Sequence, residues 1–214
     1  MNEKVDTKAR ILDAAEKLFG ERGFESTSLR DITAEAQVNL AAVNYHFQSK
    51  DSLIDAVVAR RIEPINRLRL GMLDAAGPNP TLEQILRAFL LPVLELKRDA
   101  VMPLLGRTLS DPHQFVEKVY KKHLLAISER IHRELAKALP GLPVAELRWR
   151  LYFAAGVMTY ILSWSKVLPD ISGGLCDPSD RQALIDRVID FLAAGFRAPV
   201  NEPAFERVLL EKEG

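Results

Sequence analysis

Near the start of the chain, apolar residues recur with the spacing of an amphipathic helix. They stand at Ile11, Leu12, Ala15, Leu18 and Phe19. Gly23 occupies the position of a left-handed C-cap, which ends the predicted helix. Ser28 and Asp31 have the spacing of a capping box and predict a second helix of about two turns. Asn39 is a favourable N-cap and predicts a third short helix, Leu40–Phe47.

The rest of the chain continues in helical periods, and no alternating strand pattern of useful length interrupts them. The apolar stripes predict further helices over residues 51–76, 82–97, 100–109, 144–164 and 181–197, and one that starts near residue 116 and ends at Pro140 and Gly141. Residues 77–81 and 169–179 are rich in Gly and Pro and predict loops. Pro64, Pro92 and Pro103 lie within helical patterns, where we expect kinks. The predicted fold class is all-α.

The second and third predicted helices are short and are joined by residues 36–39. Two such helices behind a longer one have the layout of a helix-turn-helix unit, whose second helix enters the major groove of DNA. Val43 and Phe47 are four positions apart and can pack inward together. The outward positions are then Leu40, Ala41, Asn44, Tyr45 and His46. No acidic residue occurs between Val38 and Lys50, so this face would not repel phosphate.

Net charge adds no sign of a nucleic-acid partner. The 214 residues carry 29 Lys and Arg against 29 Asp and Glu, a formal net charge of zero. Residues 26–50 are also balanced, because Arg30 and Lys50 oppose Asp31 and Glu35. A basic domain is the usual footprint of a DNA-binding protein, so we expect modest nonspecific affinity for DNA.

The chain also predicts a cytoplasmic protein. Its one cysteine, Cys176, cannot form an internal disulfide, which is typical of a reducing compartment. The first residues lack the apolar core of a signal peptide. The longest stretch without charge, residues 151–165, is shorter than the roughly 20 residues that span a bilayer. We therefore expect a buried helix there and no membrane partner.

Residues 6–55 resemble the DNA-binding domain of TetR-family transcriptional regulators. The resemblance rests on Phe19, Gly23, residues 27–32 with the sequence TSLRDI, residues 38–47 with the sequence VNLAAVNYHF, and Lys50. Residues 38–47 are similar, more narrowly, to fatty-acid-responsive regulators of the PsrA type. Gln37 stands where the family usually has Gly, so we expect the turn to differ slightly. Ala42 stands where Thr is common, which removes one hydroxyl contact.

The resemblance implies a division of roles within the helix-turn-helix. Arginine pairs with a guanine edge, asparagine pairs with an adenine edge, and small apolar side chains meet the thymine methyl group. The residues implied in base readout are Arg30, Leu40, Ala41 and Asn44. The residues implied in phosphate contact, by side chains or nearby backbone N–H groups, are Thr27, Ser28, Tyr45, His46 and Lys50.

Several of these residues also have a plainer interpretation at the protein surface. Arg30 can pair with Asp31 or Glu35 on a solvated helix. The basic residues of the first helix either touch phosphate as an arm or are simply solvated, and they are Lys4, Lys8 and Arg10. Contacts in the folded protein decide between these interpretations.

The resemblance further implies a C-terminal helical domain that dimerises and holds a small effector. We expect a helix-turn-helix domain over residues 1–50, a connecting fourth helix over 51–76, and the ligand-binding and dimerisation domain over 77–214. The last long helix carries two apolar stripes where a monomer needs one, so we expect it and its neighbour to form the dimer interface. The residues predicted there are Ala155, Leu184, Val188, Ile189, Leu192 and Phe196.

Large apolar residues of the later helices predict an effector cavity, although the same residues suit an ordinary core equally well. They are Met102, Leu105, Phe115, Val119, Trp149, Phe153, Met158, Tyr160 and Trp164. The effector implied by the resemblance is a fatty acid or an acyl-CoA thioester. We expect no metal and no cofactor.

Together these inferences predict a homodimeric repressor that binds double-stranded, palindromic operator DNA and is released by its effector. The alternative is an enzyme or a lipid carrier with a helical hydrophobic pocket. The histidines at positions 46, 113, 123 and 132 have no metal-ligand spacing, and the chain has no G-x-S-x-G nucleophile motif. We therefore expect no enzyme activity.

Overall fold

The computed structural model describes residues 2–95 and 117–200, with side chains from residue 7 onward. Every regular element in those ranges is helical, which confirms the all-α fold class. The helices are α1 (Asn2–Arg22), α2 (Leu29–Ala36), α3 (Leu40–Phe47), α4 (Lys50–Ala75), α5 (Leu82–Leu94), α6 (Leu125–Ala138), α7 (Val144–Trp164), α8 (Leu168–Ile171) and α9 (Arg181–Arg197). A π-helical turn, Tyr120–Leu124, precedes α6, and a 3₁₀ turn, Ser165–Val167, follows α7.

Local caps define the ends of the first two helices. Gly23 has φ +89° and donates its N–H to the carbonyl oxygen of Phe19 at 2.9 Å, which closes α1. At the start of α2, the Asp31 N–H donates to Ser28 Oγ at 3.2 Å, and the Ser28 N–H donates to Asp31 Oδ2 at 2.8 Å. The predicted capping box is therefore confirmed.

The later helices lie on the predicted apolar stripes. Pro64 lies inside α4 and Pro92 lies inside α5, so neither proline ends its helix. The helix predicted to start near residue 116 contains the π-helical turn and ends at Ala138, just before Pro140 and Gly141 as predicted. The helix predicted over residues 100–109, which includes Pro103, lies outside the described residues.

The described residues form two compact units, and the first comprises those of Met1–Gly71 and Glu95–Glu129. Its core is an apolar cluster from α1, α2, α3 and the first half of α4. The most deeply buried members include Ile11, Phe19, Ile32, Val43 and Leu53. Ion pairs fasten α4 to α1, from Arg60 to Asp13 at 2.6 Å and from Arg61 to Glu16. This packing sets the position of the two short helices.

Residues 117–124 belong to the first unit, although the predicted boundary at residue 77 assigns them to the C-terminal domain. Val119 packs against the core cluster of the helix-turn-helix, so its predicted place in an effector cavity is wrong. Lys122 Nζ lies 2.6 Å from Asp55 Oδ2, and His123 Nε2 lies 2.8 Å from Asp55 Oδ1. Burial raises the pKa of Asp55, but hydrogen bonds from Lys122 and His123 lower that pKa by more. The carboxylate thus stays charged and holds the segment on α4.

The second unit comprises the described residues of Met72–Leu94 and Arg130–Gly214. Within it, α9 packs against both α5 and α7. Four residues predicted for the dimer interface are buried in this core, namely Val188, Ile189, Leu192 and Phe196. That part of the dimer prediction is wrong, because α9 needs two apolar stripes to cover two neighbours of its own unit. Leu184 and Ala155 are half-buried.

One side of α7 leaves large aromatic side chains exposed, each by more than half. We call this set the aromatic stripe, and its members are Trp149, Tyr152, Phe153, Tyr160 and Trp164. The rings of Trp149 and Phe153 stack with centroids 5.8 Å apart, and those of Tyr160 and Trp164 stack at 6.1 Å. Such exposure does not fit the predicted effector cavity, which included four of these residues, namely Trp149, Phe153, Tyr160 and Trp164. Of the other predicted cavity residues, Met158 is half-buried, and three lie outside the described residues, namely Met102, Leu105 and Phe115.

The stretch Val144–Ile171 is long and apolar enough to cross a membrane by length and composition alone, because an 18-residue window within it has a mean hydropathy of 1.2. Only 17% of that window is buried, so the expectation of a buried helix there is not met. Helices of similar composition in the core of a protein are mostly buried.

Arg150 ties α7 to the end of α9. Its Nη1 donates to the carbonyl oxygens of Gly195 at 3.1 Å, Phe196 at 2.8 Å and Ala198 at 2.8 Å. Glu146 holds the guanidinium in place at 3.2 Å. The last carbonyl groups of a helix lack partners within the helix and carry partial negative charge. Arg150 therefore acts as a C-cap that is supplied by a neighbouring helix.

We expect Arg150→Gln to lower the melting temperature by several degrees. Hydrogen bonds from a charged donor contribute about 1.5–3 kcal/mol, and about 1 kcal/mol changes the melting temperature of a chain of this size by roughly 2–4 °C. The control is Arg67→Gln, which removes an exposed ion pair of 4.0 Å with Glu63 and should have almost no effect. Equal melting temperatures of the two variants in differential scanning calorimetry would contradict the capping role.

Candidate nucleic-acid interface

The turn between α2 and α3 keeps a left-handed residue although it contains no glycine. Gln37 has φ 52° and ψ 48°, and its N–H donates to the carbonyl of Ala34 at 3.2 Å. The Val38 N–H donates to the carbonyl of Thr33 at 3.0 Å. These bonds close the end of α2 as a glycine-terminated helix would be closed. The glutamine thus adopts a left-handed conformation that glycine adopts at lower cost.

Asn39 starts α3 as predicted. Its Oδ1 accepts a hydrogen bond from the Ala42 N–H at 2.8 Å, which satisfies one of the first N–H groups of the helix. Val43 and Phe47 are buried in the core of the first unit, which confirms the inward pair. Together the cap and the buried pair fix both the start and the rotation of α3.

The outer face of α3 presents the side chains predicted for DNA contact. Leu40 is 43% exposed and Tyr45 is 69% exposed. Ala41 and Asn44 are exposed too, while His46 is half-buried. The rings of Tyr45 and His46 meet edge to face, with centroids 5.1 Å apart. The surface therefore offers one amide, small apolar groups and two polar rings, and it includes no carboxylate.

Two basic residues flank α3 in the sequence, Arg30 before it and Lys50 after it. Arg30 is exposed on α2, and no described residue forms an ion pair with it. Its two candidate partners are otherwise engaged, because Asp31 accepts hydrogen bonds from Ser28 and Glu35 forms a 2.7 Å ion pair with Lys17. Arg30 is thus available to a ligand. Lys50 is half-buried at the start of α4, with Nζ 3.4 Å from the carbonyl oxygen of Glu25.

The hydrogen bonds to Asp31 and Glu35 also change the pKa values of these two carboxyl groups. Hydrogen bonds from the Ser28 side chain and backbone hold the pKa of Asp31 below its ordinary value. The hydrogen bond and the charge of Lys17 lower the pKa of Glu35. Both carboxylates are charged at neutral pH and stay on α2, away from the outer face of α3.

Two predicted phosphate contacts are not supported by the hydroxyl geometry. Thr27 is buried, and its Oγ1 donates to the carbonyl of Gly23 at 2.8 Å, with the carbonyl of Leu18 at 3.3 Å. The prediction that this hydroxyl contacts phosphate is therefore wrong. Ser28 is exposed, but its hydroxyl donates to Asp31 Oδ2 at 2.6 Å and serves the capping box.

Arg10 was expected to be solvated or to touch phosphate, and the structure shows neither. Its Nη2 donates to the carbonyl of Ala36 at 2.6 Å and to the carbonyl of Gln37 at 2.9 Å. The sequence signal was weak, because Arg10 and Lys17 merely share one helical face beside the apolar stripe. Lys8 stands over the ring of Phe47, with Nζ 5.9 Å from its centroid.

Within residues 7–95 and 117–200, no group of three or more His, Cys, Asp or Glu side chains is arranged to hold a metal ion. An open pocket of about 280 Å³ lies between α1 and the end of α2. It is lined by Arg10, Asp13, Ala14, Lys17, Glu35, Ala36 and Gln37.

Two family models match the chain. Residues 11–57 match the model of bacterial regulatory proteins of the tetR family, and residues 87–195 match a tetracyclin repressor-like C-terminal domain. The two matches cover the helix-turn-helix and most of the second unit. The second match alone covers about half of the chain.

Individual relatives agree with these matches. The HTH-type transcriptional regulator YttP of Bacillus subtilis is 33% identical over 84 residues, 39% of this chain and 41% of the relative. An HTH-type transcriptional repressor of Mycobacterium tuberculosis is 40% identical over 83 residues, 39% of this chain and 42% of the relative. The chain thus spans about two fifths of the length of the curated relatives that it matches.

A solved structure extends the likeness of fold to most of the chain. A TetR-family transcriptional regulator from Streptomyces coelicolor has a TM-score of 0.60 and 23% identity, and the match covers 90% of this chain and 95% of that one. The capped short helices, the exposed face of α3 and the two family matches lead to one classification. The chain belongs to the TetR family of bacterial regulatory proteins.

Proposed function

We propose that the protein is a transcriptional repressor that binds double-stranded operator DNA in the cytoplasm as a homodimer. The observation that carries this proposal is the outer face of α3, which is exposed and free of acidic residues. In a helix-turn-helix, such a face lies in the major groove. The relative from Mycobacterium tuberculosis is named a repressor, which supports the direction of regulation.

We assign base readout to Arg30, Leu40, Ala41 and Asn44. The Asn44 amide can donate to and accept from an adenine edge, and the Arg30 guanidinium can form two hydrogen bonds with guanine. Leu40 and Ala41 offer apolar contact to a thymine methyl group. The phosphate contacts are Tyr45, His46 and Lys50, which surround the base-reading positions and set the register on the duplex.

The balanced charge of residues 26–50 limits how this surface binds. Asp31 and Glu35 are charged, so Arg30 and Lys50 give the segment no net positive charge. Few phosphates are neutralised per subunit, which makes the salt dependence shallow and nonspecific affinity low. Affinity for the operator then depends on base contacts and on the engagement of two half-sites by one dimer.

We further propose that the first compact unit, rather than residues 1–50 alone, is the DNA-binding part. Residues 117–124 supply Val119 to its core and hold α4 through Asp55. The second unit then carries dimerisation and effector binding.

For the dimer interface we propose the aromatic stripe of α7, with a second copy of the chain as its partner. An aromatic side chain buries about 150–250 Å² when it is fully covered, so five that are more than half exposed bury on the order of 400–700 Å² per protomer. A standard interface needs about 800 Å² per partner. Phe191 of α9 is 68% exposed and adds to this area. Gly156 lies midway along the stripe with no atom near the position of a Cβ, which permits close approach of a second helix.

For the effector we propose a small apolar or amphipathic molecule, and a fatty acid or acyl-CoA thioester as its identity. The fatty-acyl identity is supported by the resemblance of residues 38–47 to regulators of the PsrA type. Effector binding would favour a conformation in which the two α3 helices of the dimer no longer match both half-sites.

The DNA-binding proposal predicts two different effects of substitution. Asn44→Ala should weaken operator binding by about 5- to 100-fold and relax the preference at one base position, since a bidentate base contact contributes about 1–3 kcal/mol. Lys50→Ala should weaken binding to every duplex and reduce the salt slope. Asn79→Ala, an exposed asparagine in the loop before α5, is the matched control. The measurement is fluorescence anisotropy with the duplex selected from a random library and with random duplex, and failure to select any sequence would contradict the proposal.

The dimer proposal predicts that Phe153→Glu converts a dimer into a monomer in sedimentation velocity at micromolar concentration. A carboxylate buried at an apolar interface has no partner, and its desolvation is costly. Leu68→Glu changes a 56% exposed leucine of α4 outside the aromatic stripe and should remain dimeric. If Phe153→Glu folds with a native circular dichroism spectrum and still dimerises, the interface lies elsewhere.

The effector proposal predicts that palmitate or palmitoyl-CoA releases the protein from its operator. Native mass spectrometry of the purified dimer should show a retained ligand of matching mass. Addition of that ligand should lower operator affinity in the anisotropy assay, because it binds the conformation that DNA does not. Unchanged operator binding with both probes would remove the fatty-acyl identity and leave the DNA-binding proposal intact.

A further inference from the structure

The ends of α3 are marked by unusual backbone conformations. Among residues 7–95 and 117–200, the non-glycine residues with positive φ are Gln37, at +52°, and Gln48, at +64°. Gln37 precedes α3 and Gln48 follows it. An L-residue in this region is strained, and the strain persists only where surrounding contacts hold it. The turn that leads into α3 therefore needs a source of stabilisation beyond its own sequence.

Arg10 supplies the contact at the first of these positions. Its guanidinium donates to the Ala36 carbonyl at 2.6 Å and to the Gln37 carbonyl at 2.9 Å, so it bonds to the strained residue itself. Both oxygens lie at the C-terminal end of α2, where a cation is favourable. Arg10 belongs to α1 and stands 26 and 27 residues before its two partners. It therefore ties the turn to a different helix.

The turn controls how α3 is presented. Residues 37–39 are the covalent connection between α2 and α3, and α3 has only eight residues. A change in the backbone at Gln37 alters the direction in which α3 leaves the turn. Hydrogen bonds to a base edge require donor and acceptor within about 2.7–3.2 Å, so a small change in direction breaks them. Phosphate contacts from long side chains tolerate the same change better.

We propose that Arg10 is a positioning residue for base readout, which holds Gln37 in its left-handed conformation and thereby aims α3. This inference rests on the proposed DNA-binding function. Arg10 does not itself touch DNA. Its removal therefore reduces the discrimination between operator and random duplex more than it reduces affinity for random duplex.

The test compares Arg10→Gln, Arg10→Lys, Gln37→Gly and the double variant Arg10→Gln with Gln37→Gly, all in the full chain. We expect Arg10→Gln to lower operator affinity by about tenfold and random-duplex affinity by less than about threefold, with an unchanged salt slope. Both bonds come from the single nitrogen Nη2 of Arg10. The ammonium introduced by Arg10→Lys also carries enough donors for two carbonyl oxygens but sits on a shorter, more flexible side chain, so we expect operator affinity between those of the wild type and Arg10→Gln. Gln37→Gly removes the strain, so the double variant should recover most of the lost discrimination.

The matched control is Lys17→Gln, on the same face of α1. It removes the 2.7 Å ion pair with Glu35 but no contact to the turn, so discrimination should be unchanged. If Arg10→Gln lowers both affinities equally and reduces the salt slope, Arg10 is a phosphate contact and the inference is overturned. If the double variant does not regain discrimination between operator and random duplex, the inference is also overturned.

Amide hydrogen exchange without DNA separates this inference from the proposed function. The Val38 N–H, which donates to the Thr33 carbonyl at 3.0 Å, should exchange faster in Arg10→Gln and slow again in the double variant. Unchanged exchange at Val38 overturns the inference whatever the DNA result. A wild-type protein that does not distinguish its selected duplex from random duplex overturns the proposed function instead, and the exchange result still decides the role of Arg10. Hydrogen exchange of Arg10→Gln is measured well below the melting temperature of that variant, which excludes global unfolding as the cause of faster exchange.

Discussion

The burial of one side of α3 is the interaction on which the rest of the proposed DNA-binding unit depends. A helix of eight residues is marginal in water, since isolated helices shorter than about 12–15 residues are barely stable. Val43 and Phe47 give α3 a buried side against the core of the first unit. Because these two positions face inward, helical geometry turns Ala41 and Tyr45 outward. The contact that stabilises the helix thus also selects the face that α3 exposes, which is the face we propose for DNA contact.

Arginines from neighbouring helices complete two helix ends in this protein. Arg10 bonds to the last carbonyls of α2, and Arg150 bonds to the last carbonyls of α9. A guanidinium carries five donors in a rigid fork, so one side chain can satisfy several carbonyl oxygens at once. In both places the bond joins an element to a helix distant in sequence. We propose that Arg10 orients α3, and Arg150 joins α7 to the end of α9 within the second unit.

The apolar side chains of α9 and α7 differ in whether the second unit itself covers them. α9 uses both of its apolar stripes inside the second unit, whereas α7 leaves its aromatic stripe exposed. A dimer formed through α7 leaves the core of each protomer intact and presents α3 twice. In the proposed dimer, two modest half-site contacts would act together on one operator, which would compensate for the lack of positive charge around α3.

The sequence by itself determined the features that depend on a few neighbouring residues. Gly23, the capping box from Ser28 to Asp31, and the Asn39 cap act over three or four positions, so the end of α1 and the starts of α2 and α3 followed from them. The inward pair of α3 followed from the spacing of four residues between Val43 and Phe47. The tertiary structure decided which element each side chain meets, from the buried Thr27 hydroxyl to the clamp of Arg10 on the turn. It also decided which apolar stripes are core and which are exposed. The physical reason is that a helical stripe specifies that a face must be covered but carries no information on which neighbour covers it.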